Sequence, residues 1–441
     1  MLQSETVKKY DTYKDSGIEW IGEIPQEWTA RKLFGLLKSI GSGTTPKGND
    51  NYYDGDISWL NTGDLTDSYI NIIGKTVTNI AMAECSALKL FDKDSVVIAM
   101  YGATIGKLGI LTFPTTTNQA CCVMSCGNKL NNKYLFYVLY SARDYILTLS
   151  YGAGQPNISQ ETMKAFKLCC PNINEQQIIA EYLDKKCGEI DRVIETEKAV
   201  IEKLIEYKQS IITEAVTKGL DKSAPLKDSG IEWIGKIPQH WEVKRTKYTA
   251  NSFDKGNGIT KEDVVADGDI QCIRYGEIYS KYDRQCTECV SATNLDKISS
   301  PKHISKGNIL FAGTGELIEE IGKNIVYMGD KPCLAGGDII ILNHNQNPIF
   351  LNYALNSIYS QSQKSYGKVK LKVVHISASA IGDIRIAIPP LEEQQQIAEY
   401  LDKKCSEIDK AISDKDQVIE KFTEYKKSLI YECVTGKRKV V

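Results

Sequence analysis

One fourteen-residue sequence occurs twice in this chain of 441 residues, with changes at only two positions. The first copy reads DSGIEWIGEIPQEW from Asp15, and the second reads DSGIEWIGKIPQHW from Asp228. A longer repeat follows each copy in the same order: EQQIIAEYLDKKCGEIDRVI begins at Glu175 and EQQQIAEYLDKKCSEIDKAI begins at Glu393. The sequence is therefore a tandem duplication, which predicts two related halves in the fold.

The longer repeat has the periodicity of a helix. Apolar residues recur at intervals of three, four or seven, which is typical of a helix with one buried face. Pro171 and Pro389 lie just before the two helices, and Gly219 and Gly436 lie where they should end. At 1.5 Å per residue, about 40 residues give a helix about 60 Å long. The residues expected to pair the helices or to dock a partner are Leu183, Ile190, Ile194, Ile201, Leu401, Ile408, Ile412 and Ile419.

The shared apolar stripe predicts that the two helices pack on each other as a coiled coil. The alternative is two unrelated amphipathic helices, each packed on its own domain. We favour pairing, because two diverged halves would have little reason to keep the same helix face unless both faces meet something shared.

The repeats divide the chain into four segments. We expect an α+β fold in which two mixed strand and helix domains are joined by the two long helices, in a pseudo-two-fold and cyclic organisation. The organisation is cyclic in this sense: if the C-terminal VTGKRKVV were joined to the first KDSGIEW motif, the junction would resemble the internal linker that precedes the second KDSGIEW motif. The predicted segments are 1–173 and 220–390 for the domains with their preceding motifs, and 174–219 and 391–441 for the helices with the basic tail.

The composition limits the class of protein. The hydrophobic fraction of 42% and the charged fraction of 25% are typical of globular proteins. The sequence has no apolar run of the roughly 20 residues needed to cross a membrane, and we expect a cytoplasmic location. Its 13 cysteines are predicted to be reduced thiols. Cys286 and Cys289 have metal-ligand spacing, but without a second ligand pair we expect incidental thiols and no metal site.

The two diverged segments contain polar loops rich in Gly, Thr, Asn, Gln, Tyr and Lys. Amides and hydroxyls read base edges, and lysines neutralise phosphates, so these loops favour contact with double-stranded DNA. Because the formal net charge is −2, such contact must come from a local face. An ordinary solvated turn is the alternative for any single loop. The candidate DNA contacts in the first segment are Thr44, Thr45, Lys47, Asn61, Thr62, Tyr101, Thr104, Lys107, Asn118, Gln119, Gln155 and Asn157. Those in the second are Arg274, Tyr275, Thr314, Lys323, Lys368, Lys370 and Lys372.

A weak correspondence survives between the diverged segments. SVVIAMYGATIGK from Ser95 and GNILFAGTGELIEEIGK from Gly307 both predict an apolar strand, a glycine turn and a closing Gly-Lys. Two near-identical helices combined with diverged loops indicate two recognition domains of different specificity that are held at a fixed separation. Double-stranded DNA has the matching pseudo-two-fold symmetry.

The motifs together resemble the specificity (S) subunit of type I restriction-modification systems, over essentially the whole chain. They are IPQEW and IPQHW, GSGTTPKG with YYDGDISWLNTGDL in the first half, and EEQQQIAEYLDKK near the end. The resemblance implies two target-recognition domains that each read one half of a split DNA sequence. It implies that the conserved helices between these domains form an antiparallel coiled coil. It also implies docking of two methyltransferase (M) subunits, with a restriction (R) subunit completing the nuclease. The second half has SFDKGNGITKED in place of the first pattern, so residue-level transfer is weaker there.

Two alternatives from other classes stay open at this stage. FAGTGE from Phe311 is similar to the cofactor loop of S-adenosylmethionine-dependent methyltransferases, but NPIF from Asn347 lacks the second proline of their catalytic motif. A protein-protein scaffold without DNA contact is the other alternative. The four histidines have no nucleophile or metal spacing, and no phosphate-binding loop is present. We therefore predict a non-catalytic chain with no cofactor and no catalytic residue.

Overall fold

The chain forms two compact units that interleave along the sequence. In the computed structural model the first unit comprises Met1–Lys198 with Gln417–Val441, and the second comprises Ala199–Asp416. The described residues are 8–150, 156–369 and 373–440. Each unit therefore contains one diverged segment together with part of each long helix, whereas the sequence-based segments kept each helix whole.

Among its described residues, the first unit contains twelve short strands, five α-helices that begin in it, and the end of the last long helix. The strands are β1 (Tyr13–Asp15), β2 (Glu23–Pro25), β3 (Thr29–Lys32), β4 (Leu37–Gly41), β5 (Tyr53–Leu60), β6 (Ser68–Ile70), β7 (Thr76–Val77), β8 (Val96–Ala99), β9 (Leu108–Leu111), β10 (Thr116–Thr117), β11 (Cys121–Cys126) and β12 (Lys167–Cys170). The helices are α1 (Asn79–Glu84), α2 (Asn132–Ser141), α3 (Arg143–Thr148), α4 (Gln160–Ala165) and α5 (Ile173–Lys218), and α5 continues into the second unit.

A five-stranded sheet is the centre of the first unit, with strand order β4-β11-β8-β9-β6. Its strands pair antiparallel except β6 with β9, which are parallel. β8 and β9 are buried along their whole length, so Val96–Ala99 reads as a continuous apolar run without alternation. Helix α2 packs on these two strands. A smaller sheet, β10-β5-β7, lies beside the loops described below.

The second unit repeats this plan. Its strands are β13 (Leu226–Asp228), β14 (Lys236–Pro238), β15 (Glu242–Arg245), β16 (Ala250–Lys255), β17 (Ile270–Ile273), β18 (Gln285–Cys286), β19 (Ser291–Thr293), β20 (His303–Ile304), β21 (Ile309–Ala312), β22 (Thr314–Gly315), β23 (Asn324–Tyr327), β24 (Cys333–Ala335), β25 (Ile339–His344), β26 (Val374–His375) and β27 (Arg385–Ile388). Its helices are α6 (Tyr275–Ser280), α7 (Pro348–Asn356), α8 (Ile358–Ser365), α9 (Ala378–Asp383) and α10 (Leu391–Val434), and α10 continues into the first unit.

The sheets of the two units have equivalent strand orders. The second five-stranded sheet is β16-β25-β21-β23-β18, in which β21 and β25 take the places of β8 and β11. The second small sheet is β19-β17-β24-β20, and β17 pairs parallel with β24 as β5 does with β10. The predicted α+β class with two related domains is confirmed, although most of the loop sequence between equivalent strands has diverged.

The long helices begin and end near the predicted boundaries. The segment predicted as 174–219 forms Ile173–Lys218, and the segment predicted from 391 forms Leu391–Val434. Among the described residues, no helix combines the length and the apolarity that crossing a bilayer requires.

A buried glutamine joins each long helix to the domain of its own unit. Gln176 on α5 accepts a hydrogen bond from the backbone N–H of Asn131 (2.9 Å), the N-cap residue of α2. Gln394 on α10 accepts the same bond from Asn347 (2.9 Å), the N-cap residue of α7. Each glutamine also donates to the proline carbonyl five residues earlier, at 2.9–3.0 Å. Burial without these bonds would be costly, so the amide fixes the helix against the domain.

Inside each unit an ion pair links the two long helices. Lys426 on α10 lies 2.7 Å from the Asp191 carboxylate on α5 in the first unit. Lys208 on α5 lies 2.6 Å from the Asp409 carboxylate on α10 in the second. The two pairs occupy equivalent positions of the duplicated sequence, and both lysines are largely buried.

The first and last described segments of the chain meet in the first unit. The backbone N–H of Lys439 donates to the carbonyl of Lys8 (2.8 Å), and the Tyr13 hydroxyl donates to the carbonyl of Gly436 (3.1 Å). Gly436 has φ +74°, and a Cβ atom there would collide with the ring of Pro25. The predicted helix stop is thus also a point of close backbone approach, which only glycine permits without strain.

We predict that Gly436→Ala lowers the free energy of unfolding of the first unit by about 3 kcal/mol, from the left-handed φ and from the collision with Pro25. Gly17→Ala is the matched control, because Gly17 has φ +66° but open space where its Cβ would stand. The control should cost only about 1 kcal/mol. Urea unfolding of both variants measures the difference, and equal losses would show that the Pro25 contact has no energetic effect.

Candidate nucleic-acid interface

Polar loops of the first unit meet at one end of its sheets. The Thr45 hydroxyl donates to the Gln119 side chain (2.7 Å), and the Asn118 amide donates to the Asn61 side-chain oxygen (3.1 Å). Tyr101 forms an isolated antiparallel bridge with Asn157. We call these residues, together with the adjoining Thr44 and Thr62, the first loop surface; it consists of Thr44, Thr45, Asn61, Thr62, Tyr101, Asn118, Gln119 and Asn157.

The strands explain why these distant residues meet. The loop after β4 crosses the last residue of β10: the N–H of Gly43 donates to the Thr117 hydroxyl (2.9 Å), and a Cβ on Gly43 would collide with the Thr117 carbonyl. The end of β8 binds the segment before α4, because Ile158 donates its N–H to the carbonyl of Met100 (2.7 Å). Glycine at position 43 is therefore a requirement of the crossing and not a sign of ligand contact.

The other predicted contacts of the first unit lie around this surface. Lys47 and Lys107 are exposed, and Thr104 is half-buried in the β8–β9 turn. Gln155 lies outside the described residues. The side chains of Asn61 and Gln119 are partly used by bonds within the protein, which leaves fewer donors for a ligand than the sequence alone indicated.

Backbone hydrogen bonds identify the corresponding positions of the second unit. Met100 donates to the carbonyl of Ala120 (2.8 Å) in the first unit, and Gly313 donates to the carbonyl of Asp338 (2.7 Å) in the second. The strand and turn correspondence predicted from SVVIAMYG and NILFAGTG is thereby confirmed. FAGTGE occupies the place of an ordinary turn of the first unit, which supports a structural role over a cofactor loop.

The second loop surface carries different side chains at equivalent places. We define it as Gly256, Asn257, Arg274, Thr314, Gly336 and His375. Arg274 replaces Asn61: the N–H of each donates to a carboxylate three residues later, at 3.0 and 2.8 Å. Gly336 replaces Asn118, since each donates its N–H to the last residue of the neighbouring strand. Tyr275 is exposed beside Arg274.

Several predicted contacts of the second unit are bound within the protein. The Arg274 guanidinium donates twice to Glu277. Lys323 donates to the carbonyl of Tyr282 (3.1 Å), and burial lowers the pKa of its ammonium. Thr314 is buried and bonds to a ring nitrogen of His375 (3.0 Å). Lys323 and Thr314 therefore serve the fold of this loop in the structure as it stands.

Lys368 lies at the edge of the same loops, and its ammonium donates to the carbonyl of His375 (2.8 Å). Lys370 and Lys372, predicted with it to track a DNA backbone, lie outside the described residues.

Most of the chain matches the type I restriction modification DNA specificity domain, over residues 25–205 and 238–421. The chain belongs to this family. The two matched stretches correspond to the two halves predicted from the duplication, so the family's domain occurs twice.

Curated relatives match between 40% and 95% of the chain. It is 25% identical over 426 residues to the type I restriction enzyme MjaVIII specificity subunit of Methanocaldococcus jannaschii, covering 95% of this chain and 94% of the relative. It is 27% identical over 320 residues to the MjaIX specificity subunit of the same organism, covering 69% and 70%. Over 185 residues it is 28% identical to the EcoR124I/EcoR124II specificity subunit of Escherichia coli, covering 40% and 45%.

Solved structures share the fold at low sequence identity. A chain from work on complex assembly and conformational transition of the type I R-M system has TM-score 0.72 and 14% identity, covering 93% of this chain and 98% of that one. The HsdS subunit from Thermoanaerobacter tengcongensis has TM-score 0.51 and 13% identity, covering 94% and 98%. As a member of the specificity family, this protein is a non-catalytic DNA-recognition subunit of a type I restriction-modification system.

The specificity subunit holds each recognition domain on its helix by contacts that the sequence did not reveal. In the first unit Asp184 on α5 accepts from the hydroxyl of Tyr137 (2.8 Å) and from Lys133 (2.6 Å). In the second, Asp402 on α10 accepts from the hydroxyl of Tyr353 (2.9 Å). The YLD triplet, which contains the aspartate, is present in both repeats and could be seen in the sequence. The sequence did not show that a tyrosine of the domain helix would bond to this aspartate.

The CxxC pair of the specificity subunit gains a third thiol from a distant strand. The Sγ atoms of Cys286 and Cys289 are 3.7 Å apart, and Cys333 brings its Sγ within 3.3 Å of Cys289. Within the described ranges, no group of His, Cys, Asp and Glu is arranged to hold a metal ion. All thirteen cysteines are free thiols, and burial raises the pKa of Cys122 to about 12.

A fully buried lysine supports the loop that contains Thr314. Lys364 donates to the carbonyl of Gly322 (2.7 Å) and to the side-chain oxygen of Asn324 (2.8 Å), without a carboxylate partner among the described residues. Burial lowers the pKa of its ammonium to about 7. A charge without an opposite charge is expensive to bury, which explains the direction of the shift.

We predict that Lys364 makes stability depend on pH. Between pH 7 and the usual lysine pKa of about 10.4, the unfolded chain holds a proton on this lysine that the folded chain has released. Stability from this group therefore rises with pH, by about 1.4 kcal/mol per pH unit. Urea unfolding of the wild type and of Lys364→Met at pH 7.0 and 8.5 isolates the effect, and a difference between them that does not vary with pH would contradict it.

Proposed function

We propose that each unit of this specificity subunit reads one half of a bipartite target in double-stranded DNA. The observation that carries the proposal is one fold with two sets of loop side chains. Asn61 and Asn118 of the first loop surface correspond to Arg274 and Gly336 of the second. Two amides and an arginine with a glycine have different hydrogen-bonding capacities, so the two units would prefer different bases.

The loop surfaces are suited to base readout in the major groove. Hydroxyl and amide groups are held by bonds within the protein, such as Thr45 to Gln119, which reduces the entropy lost on contact with a base. Exposed Lys47 and Lys107 at the margin are suited to phosphates. The remaining candidates, including Thr62 and Tyr101, stay predictions of contact at these surfaces.

We further propose that the long helices pair as an antiparallel coiled coil that fixes the spacing between the two half-sites. The equivalent ion pairs of Asp191 with Lys426 and of Lys208 with Asp409 support pairing. Ile190 belongs to a buried cluster with Leu429 of the other helix, and Ile408 belongs to one with Ile211.

The apolar stripe of the helices has two uses in this proposal. Leu183 and Leu401 share their buried clusters with α2 and α7 of the recognition domains. Half-buried Ile194 and Ile412 border the same clusters, and farther along, Ile201 and Ile419 are half-buried outside them. The alternative, in which each helix packs only on its own domain, accounts for the part of the stripe that contacts α2 or α7. The ion pairs favour additional contact between the two helices.

Two M subunits are the proposed protein partners, with an R subunit joining where restriction occurs. The duplicated helix surface supports this stoichiometry, because equivalent faces bind equivalent partners. The structural neighbour with TM-score 0.72 comes from work on assembly of a type I R-M system, which also supports assembly as the context.

We predict that the helix ion pair tolerates a swap but not a single reversal. Lys426→Asp places two carboxylates together and should lower the melting temperature, and adding Asp191→Lys should restore most of the loss. The change is about 1 kcal/mol, because the Asp191 side chain is partly exposed. Lys427→Asp, at an exposed position of the same helix, is the control. No recovery in the double variant would count against pairing at this site.

Sequencing of methylated positions in host DNA tests the proposed function. Co-expression with the M subunit should yield a motif of two defined halves and an unspecified spacer of fixed length. Replacing residues 30–170 with the first domain of another family member should change one half only. A stable complex without a motif, or a change in both halves, would overturn the two-reader proposal.

A further inference from the structure

We propose that Arg274 reads a guanine in the half-site of the second unit, and that Glu277 is the positioning residue that aims its guanidinium. The inference rests on the proposed function, because it assumes that the second loop surface contacts DNA. It goes further by naming the base and by assigning a role to a buried carboxylate that the sequence did not single out.

The contacts between the two side chains fix one edge of the guanidinium. Nε and Nη2 of Arg274 donate to Oε1 of Glu277 at 3.0 and 2.8 Å. The backbone N–H of Arg274 donates to Oε2 of the same carboxylate (3.0 Å). A planar group held through two donors on one edge has no freedom to rotate out of its plane.

Glu277 is itself held in place. Its side chain is 6% exposed, and its Oε1 also accepts from the hydroxyl of Ser291 (2.6 Å) on β19. The carboxylate thus joins the turn after β17 to the neighbouring strand. Because a buried carboxylate needs charged or hydrogen-bonding partners, Glu277 and Arg274 keep each other in this arrangement.

The opposite edge of the guanidinium remains available. Among the described residues, Nη1 of Arg274 has no hydrogen-bond partner, and Nη2 has a second hydrogen besides the one given to Glu277. These two nitrogens form the end-on edge of the fork. That edge matches the O6 and N7 acceptors of guanine in the major groove, which is the commonest specific contact of arginine with DNA.

The local charge favours a base over a phosphate. Glu277 offsets the charge of Arg274, so the pair attracts a phosphate less than a lone arginine would, while the directed donors stay in place. Gly336 places no side chain beside the arginine; a Cβ atom there would lie 3.5 Å from the Arg274 Cγ, in ordinary van der Waals contact. In the first unit the equivalent Asn118 fills this space and bonds Asn61, so the same turn presents amides.

The test uses the full specificity subunit in complex with its M subunit. The wild-type motif is first determined by sequencing methylated DNA, and then that of Arg274→Ala. The expected result is loss of the guanine requirement at one position of one half-site. A duplex with 7-deazaguanine at that position lacks N7 but keeps base pairing, and the wild type should bind it about 10- to 100-fold more weakly.

The variants separate reading from folding. Arg274→Ala should bind the two duplexes equally, and Arg274→Lys should behave in the same way, because it keeps the charge but loses the fork. Glu277→Gln should reduce the discrimination while its affinity for non-specific DNA stays equal or rises, a combination that a merely damaged domain would not give. Lys306→Ala, at the opposite end of β21 from Gly313, is the matched control for loss of one positive charge.

The outcomes of this experiment distinguish failure of the Arg274 assignment from failure of the proposed function. A uniform loss of affinity across sequences in Arg274→Ala, with a salt slope reduced by about 1, would identify a phosphate contact and overturn the assignment. An unchanged motif in Arg274→Ala would overturn it while leaving the two-reader function intact. A wild-type complex that methylates no defined motif would instead overturn the proposed function itself.

Discussion

Two buried amides determine how the recognition domains are attached to the scaffold. Gln176 and Gln394 are each almost fully buried, and each must satisfy its side-chain donors and acceptor inside the protein. Both use the turn before a domain helix, at Asn131 and at Asn347. Once that turn is bound, the tyrosine of the same helix meets an aspartate two turns along the long helix. The attachment is therefore the same in the two units, although their loops differ.

The scaffold was predictable because its signals are local. Helical periodicity, the preceding prolines and the closing glycines placed α5 and α10 within a few residues of their observed ends. The duplication also made the equivalence of β8 and β21 detectable from a strand, a turn and a Gly-Lys pair. Sequence repeats of this length show which segments of the two units must have the same structure, even when no contact between residues is known.

The reading surface was predictable only by residue type. The interaction of Arg274 with Glu277 spans three residues, yet the sequence does not say which side chain will be buried and which will keep a free edge. Lys364 and Cys333 became significant only through neighbours about 40 residues away in the sequence. Such contacts depend on the order of strands in the sheets, and the diverged segments give little information on that order.

The interleaving of the two units has a consequence for how the chain folds during synthesis. The second unit is one continuous stretch, residues 199–416, whereas the first needs residues 417–440 to complete its core through Leu429 and Cys433. Domains usually fold in the order in which the ribosome releases them. Here the half that is translated first must wait for the last segment, so the second half is complete earlier. A nascent chain stalled before residue 417 would expose the unfilled apolar face of α5, which makes late elongation the period of greatest risk of aggregation.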